Sequence, residues 1–332
     1  MSSTGPKKTV LLYYKYVPIS DTAAFREAHY EKCRSLNLKG RIYIAQEGIN
    51  GTVSGDSADT QAYKEYVESL PGFAGIHWKE ASHDEIPFAK LKVKIRPFLI
   101  NFGIGNQVDP RKGGRHLEPQ EWKQVMEQEK DYVILDVRNS YESEVGHFEN
   151  AIRPNVEAFS DFPKWVQELV PYKDKKVLMY CTGGIRCEKF SAYLVKEGFK
   201  DVSQLKGGIL NYIKQVGTNH WKGRCFVFDD RLSTDCGTPQ EPLAHCQHCQ
   251  RPEDRHINCS NMTCNKLFIV CDDCAHKYLG ACSTECRDAP GRRPFDAQTF
   301  RIPFRKKGVV FRELGLAEST RQKLGIQKPS WT

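Results

Sequence analysis

Eight of the thirteen cysteines in this 332-residue chain are crowded between Cys246 and Cys286. They form four short-spaced pairs: Cys246-x2-Cys249, Cys259-x4-Cys264, Cys271-x2-Cys274 and Cys282-x3-Cys286. A segment this short cannot bury enough apolar surface to hold itself together, so something other than a core must fix its fold. Two sulfurs on one turn can approach a single ion, and two such pairs complete a tetrahedron. Eight thiolates suit two structural zinc ions, bound by the pairs either in sequence or cross-braced; spacing alone leaves that pairing open. Iron–sulfur clusters and redox-active dithiols use other spacings. His245, His248, His256 and His276 lie among the pairs as alternative donors.

A second group of thiols reads as chemistry. The apolar run Val177-Leu178-Met179-Tyr180 ends at Cys181, which opens Cys181-Thr182-Gly183-Gly184-Ile185-Arg186-Cys187. That pattern is a strand delivering a thiol to a glycine-rich turn that enters a helix. A thiol is a nucleophile only as thiolate, and this turn supplies three ways to favour one. Backbone amides of Thr182, Gly183, Gly184, Ile185 and Arg186 can converge on the sulfur. The helix start places positive potential there, and Arg186 adds a fixed cation. Catalysis is assigned to Cys181 and Arg186, with the intervening residues as cradle. Arginine follows the cysteine after four residues, and the position after five is Cys187. The tighter loop suits a small sulfur-bearing guest better than a phosphoryl group.

The net charge of +8 is unevenly placed. Residues 7–116 carry 17 Lys and Arg against 12 Asp and Glu, and residues 287–332 carry 11 against 4. The centre is mildly acidic, so a polyanion gripped by the flanks is one explanation. Lys90, Lys92, Lys94 and Arg96 alternate along one strand candidate, and Arg305, Lys306 and Lys307 cluster near the end; both are candidate phosphate contacts. No run approaches a membrane span, and the start of the chain has a basic pair with no apolar stretch behind it. The expectation is a cytoplasmic protein with reduced thiols.

The element pattern predicts several domains. Strand 9–17, a helix capped by Asp21, strand 41–46, a short strand 52–54, helix 57–70 and strands 76–80 and 91–100 follow the order of a ferredoxin-like βαββαβ unit. Ile49-Asn50-Gly51 reads as a turn before the short strand. Past a polar linker at 109–115, buried strands alternate with helices, which argues for an open parallel α/β sheet. The expected domains are residues 7–108, ferredoxin-like and in possible contact with RNA; 115–222, the α/β domain with the cysteine loop; 240–290, the zinc module; and 291–332, a basic tail.

Several motifs resemble known families. Asp136-Val137-Arg138, Glu142 and Gly146-His147-Phe148-Glu149-Asn150-Ala151 resemble the front half of a rhodanese domain. The Cys181 loop and Leu205-Lys206-Gly207-Gly208-Ile209 resemble its back half. In that family the loop cysteine carries a persulfide, and Asp136 and Arg138 would brace the loop. Gln46-Glu47-Gly48-Ile49-Asn50-Gly51-Thr52, Arg96-Pro97-Phe98 and Gly223-Arg224-Cys225-Phe226-Val227-Phe228-Asp229-Asp230-Arg231 extend the resemblance from about residue 9 to residue 290. Over that span the chain is similar to the oxygen-dependent tRNA uridine hydroxylases, whose N-terminal unit is acylphosphatase-like. The resemblance implies 5-hydroxylation of the wobble uridine, Cys181 as the reactive cysteine, tRNA as partner and dioxygen as co-substrate. No flavin or haem signature accompanies it.

Two other readings stay open on the residues. A sulfurtransferase would use Cys181 in the same way on a small sulfur donor or reductant. A non-catalytic RNA-binding adaptor would keep the loop as a relic; the intact arginine argues against it.

Overall fold

The computed structural model describes residues 8–83, 86–105, 107–237 and 241–301. They divide into two compact units, one holding residues 8–143 and 147–221, the other residues 144–146 and those from Lys222 onward.

The first part of the larger unit is a five-stranded sheet. Its elements are β1 (Lys8–Tyr16), α1 (Thr22–Ser35), β2 (Lys39–Ala45), β3 (Gly48–Asp56), α2 (Ser57–Ser69), β4 (Lys79–His83) and β5 (Leu91–Ile95). The strand order is β4-β1-β3-β2-β5, with β2 and β5 parallel and the other pairs antiparallel. Asp21 caps α1 as expected, its Oδ1 accepting from the amides of Ala23 and Ala24 at 3.0 and 2.9 Å. Alternation then decides the faces. Leu11, Tyr13, Ile42, Ile44, Ile49, Val53 and Val93 point to one side and pack with Cys33 of α1 and Tyr63 and Val67 of α2. Each fully buried branched side chain there contributes ~1.5–3 kcal/mol over leaving it in water.

Three expectations shift, one being the strand 91–100, which ends at Ile95. The turn falls at Gln46 and Glu47, and Asn50 and Gly51 lie inside the nine-residue β3. Gly51 serves packing: a Cβ there would stand 2.4 Å from the Tyr13 hydroxyl across the strand pair. The strand sought at 76–80 runs instead over Lys79–His83, set by its pairing with β1.

The second part of this unit comprises β6 (Arg115–Leu117), α3 (Pro119–Gln128), β7 (Tyr132–Asp136), α4 (Ser140–Ser143), β8 (Gly146–Phe148), α5 (Phe162–Trp165), β9 (Lys176–Tyr180), α6 (Ile185–Lys196), β10 (Asp201–Leu205) and α7 (Gly208–Val216). Strands β6-β10-β9-β7 form a parallel sheet. Val177 and Met179 face a core with Phe162, Phe190 and Leu194. On the opposite side Tyr180 meets Trp122 and Phe148 with ring centroids 6.3 and 4.8 Å apart. Helices thus cover both faces, and the strand ends carry the loops where α/β folds place their chemistry.

The smaller unit holds short strands β11 (Trp221–Gly223), β12 (Cys225–Phe226), β13 (Ser233–Thr234), β14 (His256–Asn258) and β15 (Leu267–Ile269), then α8 (Asp272–Lys277) and α9 (Thr284–Asp288). Its small core mixes Ile257, Phe268, Val270 and Ala275 with cysteines of the four pairs. Among the described residues no helix is long and apolar enough to cross a membrane.

Candidate active site and metal centres

Cys181 follows β9 directly and is fully buried. Its Sγ accepts the amide of Gly184 at 3.1 Å. Burial pushes the thiol up, but the Cys187 thiol, the Arg186 guanidinium and the amides of Arg186 and Gly184 outweigh it and bring Cys181 down to about 5. The same interactions act in reverse on Cys187, which burial and its hydrogen bond to Cys181 hold well above the ordinary thiol value. Cys187 therefore keeps its proton and donates toward the Cys181 thiolate. Of the five amides expected to converge, those of Gly184 and Arg186 bear on the sulfur. Gly184 has a left-handed φ of +99°, and a Cβ there would stand 2.8 Å from the Tyr14 hydroxyl. The loop carbonyls are held from behind, Cys181 by the amide of Ile209 (3.0 Å) and Thr182 by that of Leu210 (3.2 Å). This gives the Lys-Gly-Gly-Ile stretch its place: α7 begins against the cysteine loop.

Arg186 is fixed by a partner that spacing did not reveal. Its guanidinium forks onto the Glu142 carboxylate, with Nη2 at 2.8 Å from Oε2, both side chains being almost wholly buried. Glu142 was visible only as part of a family motif. Asp136 and Arg138 form a second buried fork, with Nε 2.8 Å from Oδ1, and Tyr180 donates to Asp136 at 2.7 Å. Arg138 also donates to the Glu142 carbonyl at 3.2 Å. The two arginines are thus linked through α4.

The N-terminal sheet completes the surroundings. Tyr14 of β1 donates to Glu188 at 2.8 Å, and Tyr16 reaches the Ile185 carbonyl at 3.5 Å. Lys189 of α6 in turn pairs with Glu47 at 2.8 Å. Lys79, the first residue of β4, is only 8% exposed and lies with its ammonium 4.8 Å from the Tyr14 ring centre. Burial lowers it to about 8, against the opposing pull of the Cys181 thiolate and Glu188. Lys79 escaped the sequence because a strand lysine ordinarily faces water; its alternation with Glu80 was the available signal.

The eight clustered cysteines sort into two quartets. Cys246, Cys249, Cys271 and Cys274 form one; Cys259, Cys264, Cys282 and Cys286 form the other; within each, all four sulfurs lie within 4.8 Å of one another. The first and third pairs lie together, and so do the second and fourth, the arrangement of the cross-braced alternative. Sulfurs of Cys249 and Cys271 stand 3.6 Å apart, those of Cys264 and Cys282 3.7 Å and those of Cys282 and Cys286 3.8 Å. A tetrahedron with metal–sulfur bonds of about 2.3 Å has edges of about 3.8 Å, so each quartet can hold a metal ion. No histidine enters either set: His248 stacks on Tyr278 at 3.8 Å, and His276 lies beside Phe295 and Phe300.

The nucleic-acid candidates are less closely grouped. Lys92 and Lys94 share a face of β5, Lys90 precedes it, and Arg96 follows with its guanidinium 5.2 Å from the Tyr43 ring centre. Arg305, Lys306 and Lys307 lie outside the described residues.

Comparison with known proteins is consistent along the chain. Residues 8–98 match the UPF0176 acylphosphatase like domain, 118–215 the rhodanese-like domain and 222–287 the rhodanase C-terminal family. The tRNA uridine(34) hydroxylase of Cytophaga hutchinsonii is 45% identical over 289 residues, covering 86% of this chain and 92% of that protein. The chain belongs to the tRNA uridine(34) hydroxylase family. The family member from Protochlamydia amoebophila is 41% identical over 312 residues, covering 93% of this chain and 97% of its own. That from Bacillus mycoides is 44% identical over 298 residues, covering 88% and 93%. The match to the Protochlamydia protein runs through the cysteine quartets.

Proposed function

We propose that this chain hydroxylates C5 of uridine 34 in tRNA, with Cys181 as the reactive group and dioxygen as the co-substrate that the family resemblance implies. The observation that carries the reading is the match to proteins named for that activity across almost the whole chain. A tRNA substrate fits an enzyme of the cytoplasm.

Within that reading the residues have distinct tasks. Cys181 presents a sulfur anion at neutral pH, stabilised by two amides, Arg186 and the Cys187 thiol. Arg186 is held in place by Glu142, and Asp136 and Arg138 brace the same region. Lys79 adds a second cation from the N-terminal sheet. The two quartets, made of thiolates alone, suit zinc in a structural role, since four protein ligands leave no open position.

Mass spectrometry of tRNA nucleosides tests this directly. A strain lacking the gene is complemented with the wild type or with Cys181→Ala. Loss of 5-hydroxyuridine in the deletion, restored by the wild type alone, supports the proposal. Unchanged 5-hydroxyuridine with altered thiolated nucleosides would instead favour a sulfurtransferase, which the same thiolate could serve.

A further inference from the structure

The N-terminal sheet has a second face, opposite α1 and α2. Its strand register lines up side chains in rows across the strands. One row runs Lys79, Leu12, Thr52, Arg41, Lys92; the next runs Tyr14, Asn50, Tyr43, Lys94. At the β4–β1 edge these rows meet the cysteine loop: Tyr14 bonds Glu188 and abuts Gly184, while Leu12 abuts Gly183. At the β2–β5 edge they are cationic, with Lys39 and Lys94 exposed and Arg41 and Lys92 half-buried. Among the described residues, neither Arg41 nor Lys94 has an acidic partner within ion-pair distance. Of the strand carboxylates, Asp56 shares this face, sits at its far end and is taken by Lys8 at 2.6 Å.

We infer that this sheet face, half-exposed across β3, β2 and β5, is the seat of the single-stranded tRNA loop that carries uridine 34, running from Lys94, Lys92 and Arg41 toward Tyr14 and Cys181. The inference rests on the tRNA-hydroxylase reading above and assigns that substrate a surface. Five strands at about 4.8 Å spacing make the longer row roughly 19 Å, a few nucleotides of extended chain. Cations at the outer edge hold phosphates without reading sequence. Tyr43, stacked under Arg96, and Asn50 offer a ring face and an amide to unpaired bases on the way in. The rows end where the target base must arrive, beside the thiolate. The basic strand seen in the sequence is thus one border of a surface whose other border is the reactive site.

The full-length Arg41→Glu/Lys94→Glu variant tests the assignment by tRNA binding at several salt concentrations, with Lys130→Glu, an exposed lysine elsewhere in the same unit, as control. The expected result is affinity reduced about tenfold or more, with the slope of log K against log salt shallower by roughly 1.4 for two lost phosphate contacts. The conservative pair Arg41→Lys/Lys94→Arg restores binding. An unchanged thermal midpoint separates these effects from misfolding. If the wild type binds and hydroxylates tRNA while the double variant matches it or the control in affinity and slope, the face is overturned and the enzymatic reading stands. If the wild type neither binds tRNA nor forms 5-hydroxyuridine, both fall together.

Discussion

Arg186 and Glu142, 44 positions apart, form a two-pronged ion pair with almost no access to water. The guanidinium that favours the Cys181 thiolate is therefore not a mobile surface cation; a carboxylate on α4 sets its position. Removing one partner of such a pair leaves the other charge buried alone. Glu142→Gln should lower unfolding free energy by about 3–5 kcal/mol, measured by urea denaturation. A loss under about 1 kcal/mol would mean that water screens the pair.

Cys181 should titrate far from an ordinary thiol. The absorbance of thiolate near the far-ultraviolet edge, taken as wild type minus Cys181→Ser, is expected to inflect near pH 5. The sign follows from linkage. The folded value lies below the unfolded one, so the stabilisation is complete above the ordinary value of 9.0 and is lost as pH falls through about 5. Arg186→Gln removes a favourable charge and should move the inflection upward. An inflection that stays near 9 in the wild type would remove the thiolate from the account.

Lys79 combines a cost to folding with a benefit to the site. Its value falls from 10.5 to about 8 because burial disfavours the ammonium. At neutral pH the charged form is thus retained against a cost of up to ~3 kcal/mol. Stability from this group rises as pH climbs from about 8 toward 10.5, where the folded lysine is neutral and the unfolded one still charged. Lys79→Met should raise unfolding free energy at pH 7 by about 1–3 kcal/mol, lower turnover and shift the Cys181 inflection upward. A variant that is less stable and leaves the cysteine titration unmoved would show that the two charges do not interact.

Metal content distinguishes the braced pairing from a sequential one. Two ions per chain are expected by elemental analysis. Cys246→Ser and Cys274→Ser strike the same quartet, so the double variant should still retain one ion. Under sequential pairing the two substitutions would strike different sites and release both.

Much of this was legible in the chain because the signals are local. The cap at Asp21, the strand before Cys181, the helix start after Gly184 and the four cysteine pairs each declare themselves within a few residues. Relationships between distant segments were not. Lys79 is silenced as a surface residue only because β4 packs beside β1 and the cysteine loop comes against that edge. Glu142 gains its role from a buried contact between α4 and α6, which no periodicity records. Asn50-Gly51 resembled turn chemistry, but the glycine answers to the ring of Tyr13 on the neighbouring strand. Which cysteine pairs meet likewise depends on the path of the chain between them.

The interleaved quartets also impose an order on biosynthesis. A nascent chain that has only reached Cys264 carries two pairs, yet they belong to different centres. Neither centre can fill its coordination shell until Cys274 has been made, and the second must wait for Cys286. If the quartets bind metal as proposed, a ribosome paused before that point would present competing soft ions with thiolates whose partners have not yet been made.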